Sequence, residues 1–235
     1  MTEQRWLALE SNPASFNAWS QSLGFDTTRY SFQDCYGLDE ELLAWVKQPV
    51  KAVLMLFPIT AAYEKLRKEE DAKIEAEGGA KGLEDVLWFP QTIGNACGTF
   101  ALIHALGNGG ADLPLGPGPL QTLFAAARPL PPSARSALLA SSDSLASAHS
   151  SAATEGTQTA APNLADEVDL HFVTFVEYGG QLVELDGRRK GPVSRGVIKK
   201  GLLEDTAEVV KKVIELTNSI QFNLVTLSPT PAEED

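Results

Sequence analysis

Residues 169–186 read Asp169-Leu-His171-Phe-Val-Thr-Phe-Val-Glu177-Tyr178-Gly179-Gly180-Gln181-Leu-Val-Glu184-Leu-Asp186. Leu170, Phe172 and Val176 fall on one parity, and His171, Val173 and Phe175 on the other, which is the two-residue period of a strand. Tyr178-Gly179-Gly180-Gln181 is a turn signal, and Leu182–Leu185 resumes as strand, so the stretch predicts a β-hairpin. A two-residue Gly179-Gly180 loop pairs Tyr178 with Gln181 and, counting down the ladder, Val173 with Asp186. Cross-strand partners share a face, as do residues two apart on one strand. Asp186 is therefore a diagonal neighbour of His171, about 7–8 Å away at the backbone and within side-chain reach. A one-residue slip would put the two on opposite faces.

Moving outward, Val53-Leu-Met-Leu-Phe57 is a continuous apolar run closed by Pro58, which suits a strand covered on both faces. Phe222–Leu227 predicts a last strand. Ser11-Asn12-Pro13 opens a helix carrying Phe16, Trp19 and Leu23, with Gly24 as its stop. Asp39 is placed to cap a short helix with Leu42, Leu43 and Val46. Ala61 to about Glu77 reads as a charged, exposed helix ended by Gly78-Gly79, and another helix spans roughly Leu202–Thr217. A helix from about Asn95 to Leu106 follows the segment Gln91–Gly94, and short helices are expected between Gly116 and Leu145.

Of the 30 residues in Ser133–Pro162, 17 are Ala or Ser, and beyond Leu145 no large apolar residue appears until Leu164. Such a segment buries little surface against its ordering entropy, so its second half is expected to be mobile. It reads as a linker between domains or as a long loop within one; sheet-like segments on both sides favour the loop.

The 235 residues suffice for one domain or at most two. The net charge of −12 argues against nucleic acid or an anionic membrane surface as partner and leaves room for a basic protein or peptide. Two cysteines, Cys35 and Cys97, are too few for a disulfide framework or a thiolate zinc site. The start, Met1-Thr-Glu-Gln-Arg-Trp-Leu, has no apolar run behind a basic one, and no run approaches a membrane span, so a cytoplasmic or nuclear setting with reduced thiols is expected.

Cys97 follows a glycine-containing loop and stands in the predicted first turn of a helix, where free N–H groups and the helix dipole stabilise a thiolate. The ordinary alternative is a small core residue, which is the expected role of Cys35. His104 lies about 10 Å along the same helix, too far to reach the sulfur, and reads as structural. His149 falls in the Ala/Ser-rich segment, where geometry is expected to be poorly held. His171 sits on a strand with Asp186 beside it, and a carboxylate there fixes the imidazole tautomer and stabilises the imidazolium. The amide of Gln91 can donate to the oxyanion formed when a thiolate attacks a carbonyl, with the Cys97 backbone N–H as second donor. On local grounds alone Asp186-Gly187 also reads as an ordinary strand-ending turn and Gln91 as a surface residue.

Gln91-Thr-Ile-Gly-Asn-Ala-Cys97-Gly-Thr99, then Asp169-Leu-His171-Phe, then Glu184-Leu-Asp186-Gly-Arg188 resemble the ubiquitin carboxyl-terminal hydrolase family of cysteine proteases, in its short form. The likeness extends to Arg5-Trp6-Leu7, Leu9-Glu10-Ser-Asn12-Pro13, Asp34 ahead of Tyr36-Gly37, Leu56-Phe-Pro58-Ile-Thr60 and Phe222-Asn223. It implies Cys97 as nucleophile, His171 as general base and acid, Asp186 as orienting carboxylate and Gln91 as oxyanion donor. It also implies a single α/β domain over 1–235 of papain-like type, a central antiparallel sheet flanked by helices, and a knotted backbone. The implied reaction removes small adducts or short peptides from the C-terminal glycine of ubiquitin or a ubiquitin-like protein through an acyl-enzyme. No metal or cofactor is implied, and a monomer is expected. The tail passes beneath a crossover loop whose place is taken here by about 141–163. Glu10 and Asp34 match positions that contact the arginines of the tail, and Ile220 an apolar contact for ubiquitin; Ala14 stands where some relatives carry an acid. A ubiquitin-binding protein without catalysis and a thiol redox sensor are the competing readings. The intact set of four residues opposes the first, and the lack of a second cysteine near Cys97 in sequence opposes the other.

Overall fold

The computed structural model describes residues 4–154 and 169–232. Its elements run α1 (Pro13–Ser22), β1 (Tyr30–Cys35), α2 (Glu40–Leu43), β2 (Ala52–Pro58), α3 (Ala61–Ala76), α4 (Cys97–Asn108), α5 (Pro119–Ala127), α6 (Pro132–Ala140), α7 (Asp143–Thr154), β3 (Leu170–Tyr178), β4 (Gln181–Leu185), β5 (Val193–Val197), α8 (Leu202–Thr217) and β6 (Asn223–Pro229). The strands form one sheet in the order β1-β6-β2-β3-β4-β5, and each neighbouring pair is antiparallel. This is the α/β architecture with a central antiparallel sheet that the sequence predicts.

β2 lies inside the sheet between β6 and β3, which is why its apolar run is continuous. Leu54, Phe172, Val176 and Leu185 belong to a core shared with Phe16 and Trp19 of α1 and with much of α4. Val53, Met55, Phe57, Val173 and Phe175 belong to a second core with Tyr63 of α3 and Leu203, Ala207 and Val210 of α8. The period of two along β2 and β3 thus divides their side chains between two apolar layers. In the β3–β4 hairpin Thr174 pairs with Leu185 and Tyr178 with Gln181, the register that the Gly179-Gly180 loop predicts. β2 pairs Phe57 with His171, so the histidine sits near the end of its strand on a backbone held by β2, three residues before the β4 ladder begins at Thr174.

Local signals account for most boundaries. The Asn12 side chain accepts from the Ala14 and Ser15 N–H groups at the start of α1, and Thr60 accepts from Tyr63 N–H at the start of α3. Asp39 holds the N-cap position of α2, but its side chain makes no capping bond, and the helix is only one turn.

The segment 141–163 departs from the expectation of a mobile loop: α7 occupies Asp143–Thr154, while 155–163 lie outside the described residues. Leu145, His149, Ala152 and Ala153 form a helical stripe and are buried. Alanine is the best helix former, and small side chains allow close packing against a neighbour, so little large apolar surface is needed.

Candidate active site

The loop before α4 is shaped by the N-terminal segment. Gly94 N–H donates to the Gln4 carbonyl, and Trp6 N–H donates to the Gly94 carbonyl. Asn95 takes a left-handed φ of 60°, turning the chain into α4, which begins at Cys97. The N-cap is Ala96, which offers no side-chain acceptor, so the first-turn N–H groups and the positive end of the dipole remain directed at the sulfur's surroundings. A Cβ on Gly98 would come within 3.0 Å of Leu9 Cβ. The glycine after the cysteine thus permits the 4–9 segment to lie against α4.

The half-buried Cys97 thiol lines a cleft of about 390 Å³ together with His171, Gln91, Asn95, Arg5 and Arg188. Burial opposes its ionisation, but a hydrogen bond to His171, the imidazole charge, and the Phe172 and Gly98 backbone amides outweigh burial and bring the thiol below its ordinary 9.0. His171 Nε2 lies 2.7 Å from Asp186 Oδ1, which leaves Nδ1 as the ring nitrogen for the thiol. Burial opposes the imidazolium, yet the Asp186 charge and hydrogen bond raise His171 to about 10. Burial likewise disfavours the Asp186 carboxylate, but His171, the Arg188 N–H (2.8 Å) and the Arg189 charge hold it at about 2. The Asp186 carbonyl accepts from Trp88 Nε1 at 3.0 Å and from Arg189 N–H at 3.1 Å, so backbone and side chain are both fixed.

A buried ion-pair network supports this turn. Arg189, whose side chain is fully buried, donates to Glu184 at 2.9 Å, Asp71 at 2.9 Å and Glu70 at 2.7 Å. Arg195 reaches Glu70 and Glu184, and Arg67 donates to the Arg188 carbonyl. The charged face of α3, expected to be exposed, is in part the wall against which the turn carrying Asp186 is pinned.

Gln91 reaches the cleft from the opposite loop. Its N–H donates to the Gly187 carbonyl at 2.7 Å, and its Nε2 donates to the Ile93 carbonyl at 3.1 Å, leaving the second amide hydrogen for another acceptor. A Cβ on Gly187 would lie 2.8 Å from Gln91 Cβ and 3.0 Å from Gln91 N, so only glycine lets the two loops approach this closely. A groove of about 620 Å³ lined by Leu56, Gln221, Phe222 and Asn223 shares Ile59, Asp169 and Leu170 with the cleft.

The structure therefore brings Cys97, His171, Asp186 and Gln91 together. Glu10, Asp34 and Ile220 do not line the cleft. Glu10 and Asp34 are half-buried; Asp34 borders a separate groove with the exposed Tyr36 and Trp45, and Ile220 is 88% exposed beside the groove at Gln221–Asn223. His104 is structural, as expected: it is buried, accepts from Phe89 N–H at 3.0 Å, and is lowered to about 4 by burial. Cys35 is a core residue whose thiol is raised by burial. His149 corrects the sequence reading. It is held in α7 at 2% exposure and bonded through both ring nitrogens. Asn95, Arg5 and Arg188 were missed as cleft residues, although the first stands in the Gly-Asn-Ala-Cys loop and the last in the Asp-Gly-Arg turn. Among the described residues no group of three or more His, Cys, Asp or Glu is placed to hold a metal, and no helix is long and apolar enough to cross a membrane.

Thiol, imidazole and buried carboxylate in series, with an amide donor lining the same cleft, can support acyl transfer through sulfur. The family profile described as ubiquitin carboxyl-terminal hydrolase, family 1, matches residues 6–215. The chain is 38% identical over 230 residues to ubiquitin carboxyl-terminal hydrolase 3 of Arabidopsis thaliana, covering 97% of this chain and 95% of that protein. It is 39% identical over 213 residues to a ubiquitin carboxyl-terminal hydrolase of Aplysia californica, covering 90% and 95%. In fold it is similar to the Trichinella spiralis UCH37 catalytic domain, solved bound to ubiquitin vinyl methyl ester, with a TM-score of 0.74, 24% identity and 97% of each chain covered.

Proposed function

This chain belongs to the ubiquitin carboxyl-terminal hydrolase family and is a deubiquitinating thiol hydrolase; from that premise we propose how its residues divide the work. Cys97 is the nucleophile. Its thiolate attacks the carbonyl carbon of the C-terminal glycine of ubiquitin, forming a carbon–sulfur bond. Gln91 and the Cys97 N–H stabilise the resulting oxyanion. The His171 imidazolium, oriented by Asp186, gives its proton to the departing amine or thiol as the bond to the adduct breaks. Water then attacks the thioester, His171 takes its proton, and the carboxylate product and the thiolate are released.

The observation that carries this reading is the line from sulfur through His171 to the buried Asp186, open to a cleft that Gln91 also lines. The groove that continues from the cleft past Ile59 and Leu170 suits an extended glycine-ended tail, and the exposed Ile220 beside Gln221 suits an apolar patch on the folded part of ubiquitin. Glu10 and Asp34 serve as acidic contacts for the basic residues of the tail. We propose a single-domain monomer that acts in the cytoplasm or nucleus on a protein partner rather than nucleic acid, in keeping with the net charge of −12.

The test is release of a fluorophore from a ubiquitin C-terminal amide, together with labelling by ubiquitin bearing a C-terminal electrophile. Wild-type turnover, silence of Cys97→Ala and a covalent adduct mapped to Cys97 are expected. Attachment at Cys35, or binding by both proteins with turnover by neither, would overturn the assignment.

A further inference from the structure

Three groups tie the N-terminal wall of the cleft to the helix that carries the nucleophile. Arg5 and Ala8 line the cleft, and between them lie Trp6 and Leu7. The Leu7 carbonyl is 2.7 Å from His149 Nε2, and the Trp6 ring packs against the imidazole at a tilt of 47°, with centroids 4.4 Å apart. The other ring nitrogen, Nδ1, is 2.7 Å from Thr99 Oγ1, on α4 two residues beyond Cys97. His149 is 2% exposed, and Thr99 is fully buried.

The partners fix the tautomer. A backbone carbonyl only accepts, so Nε2 carries the hydrogen, and Nδ1 accepts from the Thr99 hydroxyl. An imidazolium would have two donors and would leave the hydroxyl without its acceptor. Burial keeps the ring neutral by lowering it to about 4, only partly offset by the Leu7 carbonyl. One neutral ring therefore acts as donor to the wall and acceptor from the helix.

We propose that His149 is a positioning residue for substrate binding, holding the Arg5–Ala8 wall of the cleft against α4 through Leu7, Trp6 and Thr99. It touches neither the sulfur nor its imidazole, so its effect falls on the width and alignment of the cleft. This inference rests on the proposed hydrolysis of ubiquitin adducts at Cys97.

The experiment measures kcat and KM on the fluorogenic ubiquitin amide, and separately the alkylation rate of Cys97 by chloroacetamide, a probe too small to need the wall. For His149→Ala, KM is expected to rise about tenfold, the equivalent of ~1.4 kcal/mol of lost binding, with kcat nearly unchanged. Alkylation should stay within about twofold, because the thiol and His171 keep their contacts. His149→Gln, whose amide can donate to Leu7 and accept from Thr99, should recover most of the KM. Thr99→Val, which keeps the shape and removes the hydroxyl donor, should raise KM in the same direction. If His149→Ala fails to fold, the Gln and Val variants carry the test. An unchanged KM in His149→Ala and Thr99→Val, a loss of alkylation equal to the loss in kcat/KM, or no advantage of Gln over Ala would overturn the proposal. Absence of turnover by the wild type would instead overturn the proposed reaction.

Discussion

His171 Nε2 and Asp186 Oδ1 stand 2.7 Å apart with the imidazole 4% and the carboxylate 0% exposed, the histidine on β3 and the aspartate one residue beyond the end of β4 in the same hairpin. In so dry a setting the carboxylate cannot be replaced by water. Asp186→Asn keeps the size but offers no full negative charge, so the imidazolium is lost and the ring is free to take the wrong tautomer. The expected result is a fall in kcat of roughly 10²–10⁴-fold with KM within about threefold. Steady-state kinetics on the ubiquitin amide check it; a kcat near that of the wild type would remove Asp186 from the proposed mechanism.

The pH profile follows from the same trio. With Cys97 below 9.0 and His171 at about 10, the thiolate–imidazolium pair exists between them. The rate of alkylation of Cys97 by a neutral reagent should therefore rise on a limb below the ordinary thiol range, and kcat/KM should fall on an alkaline limb near pH 10 as the general acid loses its proton. The stability signs differ by group. Asp186 is depressed from 3.8 to about 2, so its contribution is present above 3.8 and lost as pH falls through 2. His171 is raised from 6.5, so its contribution is full below 6.5 and drains away toward 10. Replacing Asp186 should remove the acid dependence and weaken the alkaline one, which Cys97 also supports. Urea melts of wild type and Asp186→Asn across pH 2–10 test the signs.

Gly187 sets the distance between the Asp186 turn and the Gln91 loop. Its substitution by alanine would put a methyl 2.8 Å from Gln91 Cβ, against backbone that cannot simply rotate away. Gly187→Ala is expected to cost about 1–3 kcal/mol of stability and to lower kcat more than it raises KM, since Gln91 is displaced from the cleft. A thermal melt and steady-state kinetics on one preparation would check both effects, and wild-type values for both would show that the loops have slack.

Arg189 is a buried cation among Glu184, Asp71 and Glu70. Arg189→Met fills the volume but strands buried carboxylates, which costs about 3–5 kcal/mol when one partner of a buried ionic set is removed. Chemical denaturation should show that loss, with Arg195 still bridging Glu70 and Glu184. An unchanged midpoint would mean that the network relaxes into water.

Much of the fold was legible because its strongest elements carry local signals. The Asn12-Pro13 start, the run Val53–Phe57, the amphipathic helix ending at Thr217 and the Gly179-Gly180 turn all appear in the structure where the sequence puts them. The unpredicted strands β1 and β5 lie at the two edges of the sheet, where one partner and partial burial demand no clear period. α7 went unseen because a stripe of one Leu, one His and two Ala in an Ala/Ser-rich stretch looks like a solvated loop until α1 lies against it.

The hairpin register was determined by the sequence itself, because a two-residue Gly179-Gly180 turn pairs Tyr178 with Gln181 and so leaves one way for His171 and Asp186 to share a face; Cys97 and Gln91 were legible only as candidates, through the helix start and the motif around it. Only the tertiary structure decided that His149 is a buried bridge, that Arg189 anchors the Asp186 turn to α3, and that Gly98 and Gly187 are needed where backbones meet. Those facts depend on atoms 50 to 142 residues apart in the chain being brought into contact, and no local propensity encodes a contact of that span.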